Sequence, residues 1–215
     1  NVLPFSWVPS KALALPGMEI TTPNGHFNVI GPKTCPAFLP DAPAGGINTA
    51  AGMEAVLTAA RAEGAFCMMN HPAFPPWHCR WDDLHMDCVD ALEILCDPTH
   101  PRADVSAWRC MRIWDAMLQD GRRIWGVGGS DSHMRPDQRY EGAALPSVTG
   151  DPQNYVWAPG TAEGILSALR QGCVNVSRAG MLHFAVEAGG RRYLPGQQIP
   201  AGCDTVVCIR SKFQA

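Results

Sequence analysis

No apolar run in the 215-residue chain approaches the roughly 20 residues that a helix needs to cross a bilayer, so no membrane partner is expected. The chain also has no basic block. Its formal net charge of −3 gives no reason to expect nucleic acid as a partner. No signal peptide opens the sequence, and the first residue is Asn1 rather than Met, so we expect a trimmed chain or a fragment of a longer protein.

Cysteine pairs at metal-binding or redox spacing are missing as well. The nine cysteines are odd in number and scattered, and none of them forms a CxxC motif. This pattern argues against a zinc ribbon and against a thioredoxin-like site. We expect most of these thiols to be reduced and buried as small apolar side chains. Free thiols favour the cytoplasm, although an odd count also occurs in exported proteins.

Familiar catalytic signatures are missing too. The chain has no GxSxG nucleophile elbow, and its GVGGS segment lacks the spacing of a P-loop or of a dinucleotide-binding GxGxxG motif. A serine-hydrolase triad and a nucleotide site are therefore unsupported. What the chain does have is 46% hydrophobic and 17% charged residues, a composition typical of a globular domain with a substantial core.

Apolar periodicity divides the chain into short strands and amphipathic helices. Strands are predicted at 18–21, 26–31, 65–70, 88–95, 123–129 and 173–177, helices at 49–64, 105–119 and 161–171, and a long loop at 134–160. Their alternation predicts an α/β fold with parallel strands in residues 1–178. Residues 179–215 alternate like strands between Gly and Pro turns, which predicts a small antiparallel β unit, incomplete where the chain stops.

The segment GVGGSDSHM, residues 126–134, ends an apolar strand with a carboxylate and an imidazole. Asp131 and His133 are two residues apart, so on an extended chain their side chains point the same way. Sites in α/β folds assemble at the carboxyl ends of strands, and Gly128 and Gly129 let the backbone approach closely there. The pair suits a divalent metal ion, but a loop Asp that caps backbone amides beside a surface His would look the same.

Further candidates lie at other strand ends. His71 follows the buried run 65–70, and Asn70 before it is a candidate to orient the imidazole. Glu19 interrupts an apolar strand, where an unpaired carboxylate is costly unless a metal ion or an arginine compensates it. His26 opens the next strand. Structural alternatives stay open for each: a hydrogen-bonded strand-end His71, a Glu19 that faces water, and a turn His26.

Glu93 also interrupts an apolar strand and is either a metal ligand, a base behind the ligands, or an acid paired with an arginine. The loop after His71 carries Trp77, Arg80 and Trp81, which are predicted to line a substrate pocket. Arg80 either binds an anionic leaving group or lies on the surface. The remaining histidines are assigned to structural or surface positions: His78, His85, His100 and His183.

Five segments carry a family resemblance: GMEITTPNGHFNVIG, NHP, ALEI, IWDAMLQDGRRIWGVGGSDSHM and ILSALRQGCVNVS. In this order they resemble the PHP (polymerase and histidinol phosphatase) superfamily, and more narrowly its branch of metal-dependent hydrolases that includes carbaryl hydrolase. The similarity runs from about residue 13 to residue 178. The β tail that follows also resembles the tail of that branch.

The resemblance implies a distorted (β/α)7 barrel with two or three divalent metal ions, Zn, Mn or Fe, at its mouth. Glu19 would bridge two ions, with His26 and His71 completing one site. Asp131 would belong to the neighbouring site and His133 to a third. The family also has an early HxH strand, and this sequence contains no HxH. We therefore expect the first strands of the barrel to precede this chain, which leaves the barrel N-terminally incomplete.

The resulting hypothesis is a metal-dependent hydrolase that acts on a small molecule, with Glu19 and Asp131 as catalytic residues and a metal-activated water as nucleophile. The bond attacked is a phosphoester or a carboxyl or carbamate ester. The alternative is a catalytically inactive α/β module that binds a structural metal or a partner. A carbohydrate-processing pair of Glu19 and Glu93 would leave the histidines unexplained.

Overall fold

A computed structural model describes residues 12–33, 46–82, 84–178 and 180–211. The strands are β1 (Gly17–Thr22), β2 (Gly25–Ile30), β3 (Phe66–Asn70), β4 (Ala91–Cys96), β5 (Trp125–Gly129), β6 (Gln153–Val156), β7 (Val174–Ser177), β8 (Leu182–Ala188), β9 (Arg191–Tyr193) and β10 (Thr205–Ser211). The helices are α1 (Ala50–Ala62), α2 (Ala103–Gln119) and α3 (Ala162–Arg170). Parts of the predicted units, residues 1–11 and 212–215, lie outside the described residues.

The predicted strands and helices between residues 17 and 177 are confirmed within a few residues. Two of the helices begin where a threonine hydroxyl accepts a hydrogen bond from the third following backbone N–H. Thr49 accepts from Gly52 and Thr161 accepts from Gly164, both at 3.1 Å. β6 and β9 were not predicted, and β6 lies inside the segment predicted as a long loop.

The main sheet has the order β1-β2-β3-β4-β5. β1, β2 and β3 pair antiparallel, whereas β3, β4 and β5 pair parallel, with α2 as the crossover between β4 and β5. The β1–β2 hairpin turns at Thr22, whose hydroxyl donates to the carbonyl oxygen of Gly25 at 2.8 Å. The carboxyl ends of the three parallel strands therefore meet at one edge of the sheet.

The predicted (β/α)7 barrel is wrong for the described residues. They contain three α-helices, and their strands form one five-stranded mixed sheet, the β6–β7 pair and a three-stranded sheet ordered β10-β8-β9, so no barrel closes. The physical reason is strand pairing. The hairpin turn after Thr22 and the antiparallel pairing of β2 with β3 make half of the main sheet antiparallel, although α1 separates β2 from β3. A (β/α) barrel needs parallel neighbours throughout.

β3 is buried on both faces, which explains its continuous apolar sequence. On one face Cys67 and Met69 belong to a core with Met53 and Leu57 of α1. On the other face a second core includes Phe66 and Met68 of β3 with leucines of α3. Within the described residues, no helix combines the length and the apolar character that crossing a bilayer requires.

Candidate metal and substrate site

Three residues at the carboxyl edge of the main sheet share an unusual backbone conformation. His71 directly follows β3, Asp97 directly follows β4, and Asp131 lies two residues after β5. Their φ angles are 31°, 32° and 42°, and among the described residues no other non-glycine has a positive φ. Residues other than glycine rarely adopt this left-handed backbone conformation, and those that do cluster at functional sites. The chain thus turns each side chain inward at the end of three adjacent parallel strands.

All three side chains line one cavity of about 330 Å³. The predicted ligands Glu19, His26 and His133 line the same cavity. The sequence-predicted Trp77 contributes to the wall, together with residues that were not predicted to do so: Thr21, Phe74, Cys96, Asp97, His100 and Tyr140. Among the described residues, no lysine or arginine lines this cavity.

Glu19, His26 and His71 form the tightest group of potential ligands. One ligand atom from each of them lies within 4.8 Å of the other two. The hairpin explains the placement: Glu19 and Thr21 share a face of β1, and Thr21 pairs with His26 on β2. His26 in turn pairs with Asn70 at the end of β3, next to His71. Glu19 Oε1 lies 3.0 Å from His26 Nδ1, and the His26 and His71 rings meet edge to face at 4.9 Å.

His71 is buried, and burial is the main reason that its pKa is lowered from the ordinary value. Its backbone N–H donates to Glu93 Oε2 at 2.8 Å. Its ring Nδ1 is buried and has no hydrogen-bond partner among the described residues. A neutral imidazole within 4.8 Å of a second imidazole and a carboxylate fits the demands of a divalent cation.

Asp131 and His133 face the cavity but do not join the group of three. His133 Nε2 lies 3.0 Å from Asp131 Oδ1, and the His133 side chain is 77% exposed. The Asp131 carboxylate also accepts a long contact of 3.9 Å from the Cys96 thiol. The two residues therefore form a second, more exposed pair of potential ligands in the wall of the same cavity.

Glu93 lies behind the cavity, not in its wall. The carboxyl group is buried, and burial, reinforced by the negative charge of Asp131, raises its pKa to about 8. Gly129 makes room for it, because a Cβ at that position would collide with the Glu93 carboxylate. Through its contact with the backbone N–H of His71, Glu93 fixes the strand end that carries this histidine.

The other residues predicted near the site occupy different surroundings. Asn70 is buried, and its Oδ1 has no hydrogen-bond partner among the described residues. Arg80 lies in an adjoining pocket that also contacts His26 and Trp77, and its Nη2 donates to the carbonyl oxygen of Pro76 at 3.3 Å. Trp81 packs against the core and stacks on Phe27, so it does not line the cavity.

Sequence reasoning missed Asp97, His100 and Tyr140. A signal existed for the first two, because Asp97-Pro-Thr-His100 follows β4 as His71-Pro follows β3. The assignment of His100 to a structural or surface role overlooked this position. Tyr140 gave no such signal, since it lies in the long irregular segment after β5. Burial, followed by a hydrogen bond with the buried Asp97 carboxylate, raises the pKa of Tyr140.

Comparison with protein-family models and with curated proteins finds no match to this chain. The resemblance to the PHP superfamily therefore stays a prediction that depends on the sequence segments themselves. The geometry of the cavity is independent of that resemblance.

Proposed function

We propose that this chain is a metal-dependent hydrolase that acts on a small-molecule ester. The observation that carries the proposal is the convergence of Glu19, His26 and His71 within 4.8 Å on the wall of a cavity. Each comes from a different strand or strand end, so the fold, and not a local sequence motif, brings the group together. The cavity provides room for a substrate next to the cluster.

The donor set suits a divalent cation. Two imidazole nitrogens and one carboxylate oxygen are ligands that Zn, Mn and Fe accept. The buried His71 Nδ1, which has no partner among the described residues, supports a missing ligand more directly than the exposed pairs do. A divalent ion bound there would supply Lewis acidity, which lowers the pKa of a water molecule and polarises the bond under attack.

The residues of the chain have distinct parts in the proposal. Glu19, His26 and His71 would hold the first ion, with Glu19 shared with a neighbouring ion. Asp131 would hold the second ion. If a third ion binds, His133 would hold it. Asp131 is also the carboxylate proposed to accept a proton from the attacking water. Glu93 would act on His71 through the backbone, not on the substrate.

The residues that line the cavity favour a carboxyl or carbamate ester over a phosphoester as substrate. Recognition of a phosphate group in proteins commonly uses arginines or lysines that converge on its oxygens. Among the described residues, the cavity wall has none, and Arg80 reaches only the adjoining pocket. A carboxyl or carbamate ester therefore fits the proposal better than a phosphomonoester does.

Metal loading tests the proposal. The metal-free protein is incubated separately with Zn, Mn and Fe(II), and bound metal is measured by mass spectrometry together with hydrolysis of 4-nitrophenyl acetate and 4-nitrophenyl phosphate. His71→Ala and Asp131→Ala are expected to lose metal and activity, while His85→Ala, on an exposed side chain outside the cavity wall, keeps both. Unchanged metal content in both site variants would contradict the assignment. Metal binding without turnover would favour the inactive module instead.

A further inference from the structure

His100 lies in a rigid turn at the carboxyl end of β4. The backbone N–H of Asp97 donates to the carbonyl oxygen of Gly129 at 3.0 Å, and the backbone N–H of His100 donates to the carbonyl oxygen of Asp97 at 2.9 Å. Pro98 and Pro101 flank the histidine on either side, and each fixes its own φ. The backbone thus holds residue 100 in place, and the His100 ring lines the cavity wall.

The tautomer of His100 follows from one hydrogen bond. The backbone N–H of Arg102 donates to His100 Nδ1 at 3.1 Å. A ring nitrogen that accepts a hydrogen bond carries no proton, so in the neutral imidazole the proton is on Nε2. Burial lowers the pKa of His100, and this effect exceeds the opposing influence of the Asp97 carboxylate. The ring is then a neutral donor through Nε2.

Two aromatic rings hold the imidazole in place. Phe74 meets the His100 ring edge to face with centroids 4.9 Å apart, and Tyr140 does so from another direction at 4.7 Å. Phe74 also contacts the His71 ring at 6.4 Å. His100 is therefore one aromatic ring away from the proposed metal ligands, on the same cavity wall.

We propose that His100 donates a hydrogen bond from Nε2 to the substrate oxygen that gains negative charge during hydrolysis. The inference rests on the proposed function and narrows it to substrates with an uncharged carbonyl oxygen. A fixed neutral donor interacts more strongly with that oxygen as charge develops than with the ground-state carbonyl. His100 is then a catalytic residue in the strict sense, because it contacts the reacting group.

Paired substitutions at His100 test this role with 4-nitrophenyl acetate and the metal-loaded protein. His100→Phe keeps a ring between Phe74 and Tyr140 but removes the donor, and it is expected to lower kcat by about 100-fold with little change in KM. His100→Gln restores an N–H donor and is expected to recover part of the loss. His85→Phe, on an exposed ring paired with Glu54, is the control and should leave kcat unchanged.

Nitrogen-15 NMR of the imidazole in the wild-type protein provides a readout that is independent of turnover. The expected spectrum shows a neutral His100 protonated at Nε2. A ring protonated at Nδ1, or a kcat that does not change in His100→Phe, would overturn the inference while leaving the proposed function intact. A wild-type protein that binds metal but hydrolyses neither ester would overturn the proposed function, and this inference with it, whatever the tautomer.

Discussion

Nδ1 of His26 lies 3.0 Å from Oε1 of Glu19, across the first hairpin of the main sheet. The chain contains a second pair of the same kind, in which His85 Nδ1 lies 3.1 Å from Glu54 Oε1. The pairs differ in their surroundings. The first converges with the buried His71 on a cavity, whereas the His85 side chain is 83% exposed and no cluster of three ligands forms around it among the described residues.

The comparison of the two pairs gives the first prediction. Glu19→Gln keeps the size of the side chain but removes the charge that a cation needs, so zinc affinity is expected to fall. The loss should exceed the roughly 10–100-fold that removal of an outer partner of a metal ligand costs. Isothermal titration calorimetry of the metal-free wild-type and Glu19→Gln proteins with zinc measures this loss of affinity.

Glu54→Gln is the matched control for that experiment. It changes the same chemical group beside a histidine but leaves the cavity intact, so zinc affinity is expected to equal that of the wild type. Equal losses in the two variants would mean that zinc binds non-specifically to carboxylate–imidazole pairs on the surface. The proposed site would then have no support.

Gly129 provides the second prediction. In Gly129→Ala the new Cβ would collide with the buried Glu93 carboxylate, which must move and then releases the backbone N–H of His71. Such overpacking is expected to lower the free energy of unfolding by about 1–3 kcal/mol. Zinc affinity should fall as well, because His71 shifts.

Urea unfolding followed by fluorescence, together with zinc titration, checks both effects. Gly160→Ala is the control, since a Cβ there meets no heavy atom within 4 Å. Its stability is expected to stay within about 0.5 kcal/mol of the wild type. If Gly129→Ala matched that control, Glu93 would not be the group that fixes the strand end.

A buried carboxylate joins α1 to the main sheet and supplies the third prediction. Asp90 Oδ1 accepts from Arg61 Nε at 3.0 Å, and Oδ2 accepts from the backbone N–H of Cys67 at 2.9 Å. Asp90→Asn replaces one acceptor oxygen with a donor group, so one of these bonds is lost and a buried donor is left unsatisfied. The expected cost is about 3 kcal/mol of unfolding free energy.

Asp87→Asn tests whether the effect of Asp90→Asn depends on burial. Asp87 pairs with Arg122 at 3.7 Å, but its side chain is 95% exposed, and exposed pairs contribute little. Thermal unfolding of the two variants should show a clear drop for Asp90→Asn and no measurable change for Asp87→Asn. Similar melting temperatures for the two variants would contradict the role of Asp90.

Thiol reactivity is the fourth prediction. The eight described cysteines are free, and four of them are buried: Cys67, Cys88, Cys96 and Cys110. Burial raises the pKa of Cys88 to about 12 and that of Cys110 to about 11, so neither forms a reactive thiolate at pH 8. Iodoacetamide should label these two only in denaturant, whereas the half-buried Cys203 and Cys208 react in the native protein.

Peptide mass spectrometry with a time course of labelling gives the rate at each cysteine. The half-buried thiols are the internal control, because they experience the same reagent and the same pH. Rapid native labelling of Cys88 would show that the core around α1 opens far more readily than its packing indicates.

Local sequence signals were sufficient for most elements of this fold. The apolar run before His71 and the apolar periodicity of α2 depend on near neighbours, and both elements were predicted. The direction of each strand relative to its neighbours could not be predicted, because strand pairing joins segments that are distant in the sequence. The antiparallel pairing of β2 with β3, on either side of α1, has no local signature and removes the predicted barrel.

The residues of the candidate site likewise fall into those that local sequence predicts and those that depend on long-range contacts. Glu19, His26 and His71 were predicted as ligands from polar residues at apolar strand ends, and the structure brings them together, although ligation itself stays a prediction. Asp97 and Tyr140 meet through a contact between segments about 40 residues apart, which sequence periodicity does not report. Because Asp97 directly follows β4 as His71 follows β3, treating every polar strand end as a candidate would have added Asp97 to the predicted site.

The left-handed backbone at His71, Asp97 and Asp131 has an evolutionary consequence. Glycine adopts this conformation without the penalty of about 1–2 kcal/mol that other residues incur. Selection for folding alone would favour glycine at these positions, so the imidazole and carboxylate side chains there carry a cost in stability. Relatives that lack the proposed metal site are expected to carry glycine or asparagine at these strand ends and to melt at higher temperatures.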